Sequence, residues 1–490
     1  MFLKLNPFNH LLIIIFLSLA ISCASQPAKE TSQPAQDIVN RFISKPELSS
    51  ASVGILLADA ETGEMIAAHN PDKSLIPASI QKLLITATAL ETFGTGHTFT
   101  TSLFYSGHID DDGTLHGDVM IRGGGDPALG SERFTGHYGD VIAQMAGAIR
   151  QAGIRRIEEK IVGDGSYFGR PLIPDTWIWE DIGNYYGGPA YGLNIFENTY
   201  RLTFSSGAPG SLTRITGVEP SLPGIEFENF VTAASNNRDN AYIYGSYLSP
   251  NREVRGTIPA HRESFTIKGS VPDPPHLAAS LLNKALEEGE IPVSGVPESL
   301  WEETYKKNLT KLLDIYSPPM SEIVNQLNTK SINLYAETLL FHLAKAENES
   351  VSVEAGCRAL TDFWSSRGMD TTGLFLQDAS GLSRANAITP SQMAFLLRYM
   401  KNQSPVSEAF MASLPASGIS GSLKSFLPEQ AGKFVAKSGY MSRVLNYAGY
   451  LETASGKNLV VVLIVNNYSG SGSEMRKLWE GMVEEVYENQ

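Results

Sequence analysis

The sequence predicts an α+β fold: a five-stranded antiparallel sheet with helices, interrupted in mid-chain by a mainly β insertion in two parts. Three observations carry this. Two strand-like runs joined by a turn stand near the N-terminus and lead into an apolar helix. Three further strand-like runs close the chain, with one apolar-faced helix behind them. Between these ends lies a long stretch of short strands and Gly- and Asp-rich turns with few helical periods. At 490 residues the chain is too long for one ordinary domain. A content of 42% hydrophobic and 18% charged residues is that of a globular protein. The formal net charge of −14 argues against a nucleic-acid binder, which needs a basic surface.

The N-terminus reads as an address. Lys4 precedes an apolar run over residues 11–21, too short to cross a bilayer. Residues 1–22 are therefore expected to be a signal peptide. The run Leu19-Ala20-Ile21-Ser22-Cys23 resembles a bacterial lipoprotein cleavage site, although Ala20 stands where a larger aliphatic residue is usual. That resemblance implies lipidation of Cys23 and a lipid anchor; cleavage after Ala24 is the alternative. Residues 23–36 are polar and read as a tether. With Cys23 lipidated or removed, Cys357 has no partner, so no disulfide is expected. The histidines are scattered and no metal-ligand spacing occurs, so neither metal nor cofactor is expected.

The elements then follow in order. A helix over residues 37–43 leads to a strand at 53–58, a turn at Glu61-Thr62-Gly63 and a returning strand at 64–69. Pro77 opens a helix that Gly94 stops. It carries Ser79 and Lys82, which a spacing of i and i+3 places on one face. A serine is a poor nucleophile until a base takes its proton, and a lysine is such a base only when it is neutral. Beyond Gly94 the expected strands are 99–105 and 114–121, with a helix near 140–152. The glycines at 123–125 lack the spacing and lysine of a phosphate loop and read as a tight turn. Residues 177–200 are rich in Trp, Tyr, Gly and Asn, a mix found in binding grooves and at core edges alike. Strand and loop fill 205–258, and a helix spans 273–288. Helices return at 320–328, 331–346, 353–367 and 390–400. Strands at 434–438, 448–452 and 458–467 precede a last helix, whose Met475, Leu478, Trp479, Met482, Val483 and Val486 make a core face.

Three stretches carry the chemistry: Ser79-Ile80-Gln81-Lys82 on a helix, Ser331-Ile332-Asn333 at a helix junction, and Lys437-Ser438-Gly439 at the end of a strand. Each alone has a bland reading. Ser-x-x-Lys arises by chance on exposed helices, Asn333 would serve as a helix cap, and Lys437 as a solvated strand-end charge. Together, in this order, they resemble the motif set of penicillin-binding proteins and serine β-lactamases. The chain is most similar to the D-alanyl-D-alanine carboxypeptidase/endopeptidases of the penicillin-binding protein 4 (DacB-like) group, peptidase family S13. The likeness extends over nearly the whole mature chain. It includes Gly163-Asp164-Gly165-Ser166-Tyr167-Phe168, Tyr185-Tyr186-Gly187-Gly188-Pro189, residues 330–337 (KSINLYAE), residues 378–384 (DASGLSR) and Ala448-Gly449-Tyr450. The long interval from Ser79 to Ser331 matches the inserted domains of that group, which β-lactamases lack.

The resemblance implies a transpeptidase-like catalytic domain over residues 37–106 and 307–490. It implies one inserted domain over 107–170 and 260–306, and another over 171–259. It implies Ser79 as nucleophile, Lys82 as its base and Ser331 as a proton relay. Asn333 would hold the substrate amide and Lys82. Lys437 and Ser438 would bind the terminal carboxylate, with the charge of Lys437 keeping Lys82 neutral. Backbone N–H groups of Ser79 and Tyr440, beside Gly439, would form the oxyanion hole. The implied partners are peptidoglycan stem peptides and β-lactams, and the implied location is the periplasmic side of the bacterial envelope, anchored at the outer membrane if Cys23 is lipidated. Glu337, Asp378 and Arg384 are expected to hold loops near the cleft. Two departures stand out: Ile332 replaces the usual Asp or Asn, and Ser438 the commoner Thr. Neither removes a reacting group. The competing functions are a non-catalytic peptidoglycan-binding scaffold and a β-lactamase.

Overall fold

A computed structural model describes residues 33–170, 173–302, 308–347 and 350–490. The expected signal peptide and Cys23 lie outside these. No helix among the described residues is long and apolar enough to cross a membrane.

The two ends of the chain build one sheet. Its strand order is Phe434–Met441, Val444–Glu452, Asn458–Asn466, Ser52–Asp59, Met65–His69, antiparallel throughout. The apolar runs of Asn458–Asn466 and Ser52–Asp59 put these strands at the centre, buried on both faces. Helices Gln33–Ile43 and Gly472–Asn489 cover one face, where Phe42 and Trp479 stack with ring centroids 4.2 Å apart. The other face packs against Pro390–Asn402, with Lys82–Phe93 and Asn333–Ala346 in the same core.

The first helix begins earlier than expected. Residues 33–36, assigned to the tether, form its first turn. Ala35, Ile38, Val39 and Phe42 are all buried at helical spacing, and Pro34 falls in the first turn, where no N–H is required of it.

A second five-stranded sheet has the order Glu298–Leu300, Ile161–Asp164, Val119–Arg122, Thr100–Ser106, Leu309–Tyr316. The expected boundaries at 106 and 307 are therefore misplaced. Thr100–Ser106 and Leu309–Tyr316 pair with each other as the chain leaves and re-enters the catalytic part, and both belong to this sheet. The boundary at 259–260 moves likewise. Arg262–Ser270 pairs with Thr199–Ser206 in a three-stranded sheet, while Pro274–Glu288 packs on Ile161–Asp164. Another three-stranded sheet holds Glu226–Ala234, Asn251–Pro259 and Asn240–Tyr244. The single strand expected at 114–121 is split at Gly117, where an added Cβ would stand 2.0 Å from the Ser106 carbonyl oxygen.

Candidate active site

Ser79 does not sit on the α-helix itself. It lies in a 3-10 turn, Ala78–Gln81, and the α-helix starts at Lys82. Side chains from elsewhere hold this turn. Asn446 donates to the Ile76 and Pro77 carbonyls at 2.9 and 2.8 Å, and Gln81 donates to the Asp378 carbonyl at 2.5 Å. Ala78 has φ of +45°, a left-handed conformation these contacts must sustain. The expected pairing survives the change: Lys82 Nζ lies 2.9 Å from Ser79 Oγ. The helix is buried all round from Lys82 to Leu90.

The second stretch is a corner. Helix Met320–Lys330 ends at Ser331, whose φ of +59° is left-handed, and Asn333–Ala346 begins two residues on. Ile332 packs against the core. The capping role open to Asn333 is not what its side chain performs. Its Oδ1 accepts from Lys82 Nζ at 2.7 Å, and its Nδ2 donates at 2.8 Å to the carbonyl of Tyr186, a residue of the insertion.

The third stretch lies within the edge strand Phe434–Met441, not at a strand end. Lys437 Nζ donates to Ser331 Oγ at 2.9 Å and to the Ser438 carbonyl at 3.0 Å. Ala436 N–H, pointing away from the neighbouring strand, donates to the Pro415 carbonyl. Strand alternation gives Ser438 and Tyr440 the same phase, so their N–H groups face the open edge of the sheet. Gly439 is where this strand meets the Ser79 turn. A Cβ there would be 2.6 Å from Pro77 O and 3.0 Å from Ser79 N. Ser438 Oγ bonds Ser422 Oγ at 2.6 Å, and the Tyr440 ring is exposed.

Ser79, Lys82, Ser331, Asn333, Lys437, Ser438 and Gly439 thus converge, together with the Tyr440 backbone. Sequence reasoning expected Asp378 to hold a loop near the cleft but missed the backbone carbonyls that support the site. Lys82 Nζ also donates to the Ser380 carbonyl at 2.5 Å. Asp378 accepts from Trp177 Nε1 of the insertion at 2.8 Å and from Ser383 N at 2.6 Å. Residues 378–384 carried only a family likeness in the sequence, and a backbone carbonyl leaves no compositional trace.

Both amines are fully buried. Burial lowers Lys82 to about 7, against the pull of the Asp378 and Glu337 carboxylates in the other direction. Lys437 is pushed well below the ordinary lysine value, by burial first and by Lys82 second. Burial thus acts beside the charge of Lys437, which was expected to keep Lys82 neutral. Desolvation is the larger cause at both amines, and at Lys437, whose hydrogen-bond partners are a hydroxyl and a carbonyl, repulsion between the two amines adds to it. A base must be neutral to accept a proton, so acylation is expected to rise with pH along a limb centred near 7. Acylation rates measured by stopped flow between acid and neutral pH check this; a limb centred near the ordinary lysine value would contradict it.

A serine and two buried amines, between a sheet edge and two helices, define an active-site-serine acyl-transfer enzyme of the penicillin-interacting class. The chain belongs to the D-Ala-D-Ala carboxypeptidase 3 (S13) family, which it matches over residues 35–486. It is 28% identical over 454 residues to a D-alanyl-D-alanine carboxypeptidase of Actinomadura sp. (strain R39), covering 88% of this chain and 81% of that one. It is 25% identical over 434 residues to the D-alanyl-D-alanine carboxypeptidase DacB of Haemophilus influenzae, covering 87% and 88% of the two chains. The crystal structure of penicillin binding protein 4 (dacB) from that organism has the same fold. Its TM-score is 0.77 at 22% identity, over 93% of this chain and 99% of that one. The protein is a serine-type D-Ala-D-Ala carboxypeptidase of this group, and its α+β fold is the expected one.

Proposed function

We propose that Ser79 is the acylated nucleophile of a D,D-peptidase acting on peptidoglycan stem peptides, with Lys82 as its base. The carrying observation is the 2.9 Å contact between Ser79 Oγ and a fully buried Lys82 Nζ. Ser79 Oγ attacks the carbonyl carbon of the penultimate D-Ala and its proton passes to Lys82 Nζ. The oxyanion that forms faces the N–H groups of Ser79 and Tyr440. Ser331 Oγ relays to the departing amine, as the C–N bond breaks, the proton that Lys82 took from Ser79, while Lys437 Nζ, 2.9 Å away, donates to Ser331 Oγ. Water then cleaves the ester and frees Ser79. Lys437 and Ser438 take the terminal carboxylate. β-Lactams enter as acylating analogues whose ester persists.

The same centre serves a terminal D-Ala–D-Ala bond or a D-Ala–diaminopimelate cross-link, since both present a D-Ala carbonyl to the serine. Peptidoglycan as substrate places the enzyme in the cell envelope; attachment through a lipid on Cys23 rests on the sequence alone. Digestion of purified muropeptides, with products weighed by mass spectrometry, tests the reading. Loss of one alanine marks the carboxypeptidase and conversion of dimers to monomers the endopeptidase. A folded protein that leaves both substrates intact would contradict the proposal in favour of a binding scaffold.

A further inference from the structure

The Lys82 amine has three oxygen neighbours: Ser79 Oγ at 2.9 Å, Asn333 Oδ1 at 2.7 Å and the Ser380 carbonyl at 2.5 Å. A neutral amine has two hydrogens and one lone pair. Two of the three oxygens, Asn333 Oδ1 and Ser380 O, can only accept. When both take a hydrogen, the lone pair is left pointing at the Ser79 hydroxyl, the one neighbour with a proton to give. With either acceptor displaced, the amine is free to turn and donate to Ser79 Oγ, a geometry in which it takes no proton. The base is therefore aimed by its acceptors, and one of those is a backbone carbonyl in a loop.

Two buried carboxylates grip that loop. Glu337 is 2% exposed and lies one helical turn beyond Asn333, on the same face of Asn333–Ala346. Its Oε1 accepts from Ser380 N at 2.7 Å, and its two oxygens lie 3.2 and 3.3 Å from Ala379 N. Asp378 Oδ1 accepts from Gly381 N at 2.8 Å, the N–H of the same peptide plane whose carbonyl meets Lys82. Ser380 is thus held on both sides. Burying two carboxylates together is costly, and it raises Glu337 above the usual carboxylate range, through burial first and Asp378 second. The seven-residue loop 378–384 could be closed by ordinary turn residues at lower cost. The helix that supplies one acceptor for Lys82 directly supplies the other through Glu337.

We propose that Glu337 is a positioning residue: by fixing the Ser380 peptide, it aims the Lys82 amine at Ser79. This rests on Lys82 being the base, as proposed above. The test separates reach from charge. Glu337→Gln keeps the side-chain length and the Oε1 acceptor for Ser380 N and, at 3.2 Å, for Ala379 N; it loses the charge and the Oε2 acceptor, which lies 3.3 Å from Ala379 N. Glu337→Asp keeps the carboxylate but withdraws it by about 1.5 Å, one C–C bond.

The readout is the first-order acylation rate constant at saturating penicillin, separated from the binding step. It is normalised to titratable sites, so that misfolded molecules do not count. Positioning gives a Gln variant within about threefold of wild type and an Asp variant slowed about tenfold to a hundredfold, the range one hydrogen bond to a charged group supports. The penicillin binding step should be unchanged in both. An Asp variant that outperforms the Gln variant would overturn the proposal in favour of a charge effect. Wild-type rates in both, or equal losses in both, would overturn it as well. Failure of the underlying reading is distinguishable: Lys82→Met would then acylate at the wild-type rate.

Discussion

Gly439→Ala is expected to slow acylation by penicillin about a hundredfold to a thousandfold in a protein that still folds. The cause is steric. The new Cβ would stand 2.6 Å from Pro77 O, 3.0 Å from Ser79 N and 3.1 Å from Ile80 N. These are backbone atoms of a turn pinned by Asn446, so no flexible side chain can swing aside. The edge strand and the nucleophile turn must part by several tenths of an ångström. That separates the two N–H groups proposed to converge on one oxyanion, and loss of a single such donor is worth about a hundredfold to a thousandfold in rate. The strand lies at the sheet edge, so the shift has solvent on one side and a limited cost in stability. Acylation kinetics beside a thermal melt check this: wild-type kinetics would mean that the strand and Ser79 do not jointly hold the reacting group.

The second large effect is expected from Lys82→Met. Met matches the length of the lysine stem without its amine. Acylation should fall at least about ten-thousandfold, as when a paired base is removed from an activated nucleophile. The fold should persist, because the site is fully buried and an apolar side chain of similar volume suits it. Raising the pH should not restore the rate, since among the described residues Lys82 is the one basic side chain hydrogen-bonded to Ser79 Oγ. Rates within tenfold of wild type, measured on correctly folded protein, would move the role of base to another residue.

What the sequence made legible follows the range of the signals involved. The central strands of the catalytic sheet are apolar runs bounded by turns, and the terminal helix repeats its core positions at helical spacing, so both were readable locally. The Ser79–Lys82 pair was legible for the same reason, although the turn holding it proved to be 3-10. The limits of the insertion were not. Thr100–Ser106 and Leu309–Tyr316 are mutual partners about two hundred residues apart, and nothing in either strand names the sheet it joins. The site divides in the same way. The side chains proposed to meet substrate have motif spacing, whereas the Ser380 and Tyr186 carbonyls, which accept from Lys82 and Asn333, are backbone atoms placed by tertiary contacts. Asn333 shows the cost of a local reading, since its position favours a helix cap and its side chain serves Lys82 instead.

The central claim is that one hydroxyl, on Ser79, carries the acyl group. The most direct measurement is mass spectrometry of the penicillin-treated protein, first intact and then digested to locate the adduct. The account predicts a single adduct, on Ser79. An adduct on Ser331 or Ser438, or none on protein shown to be folded, would contradict it.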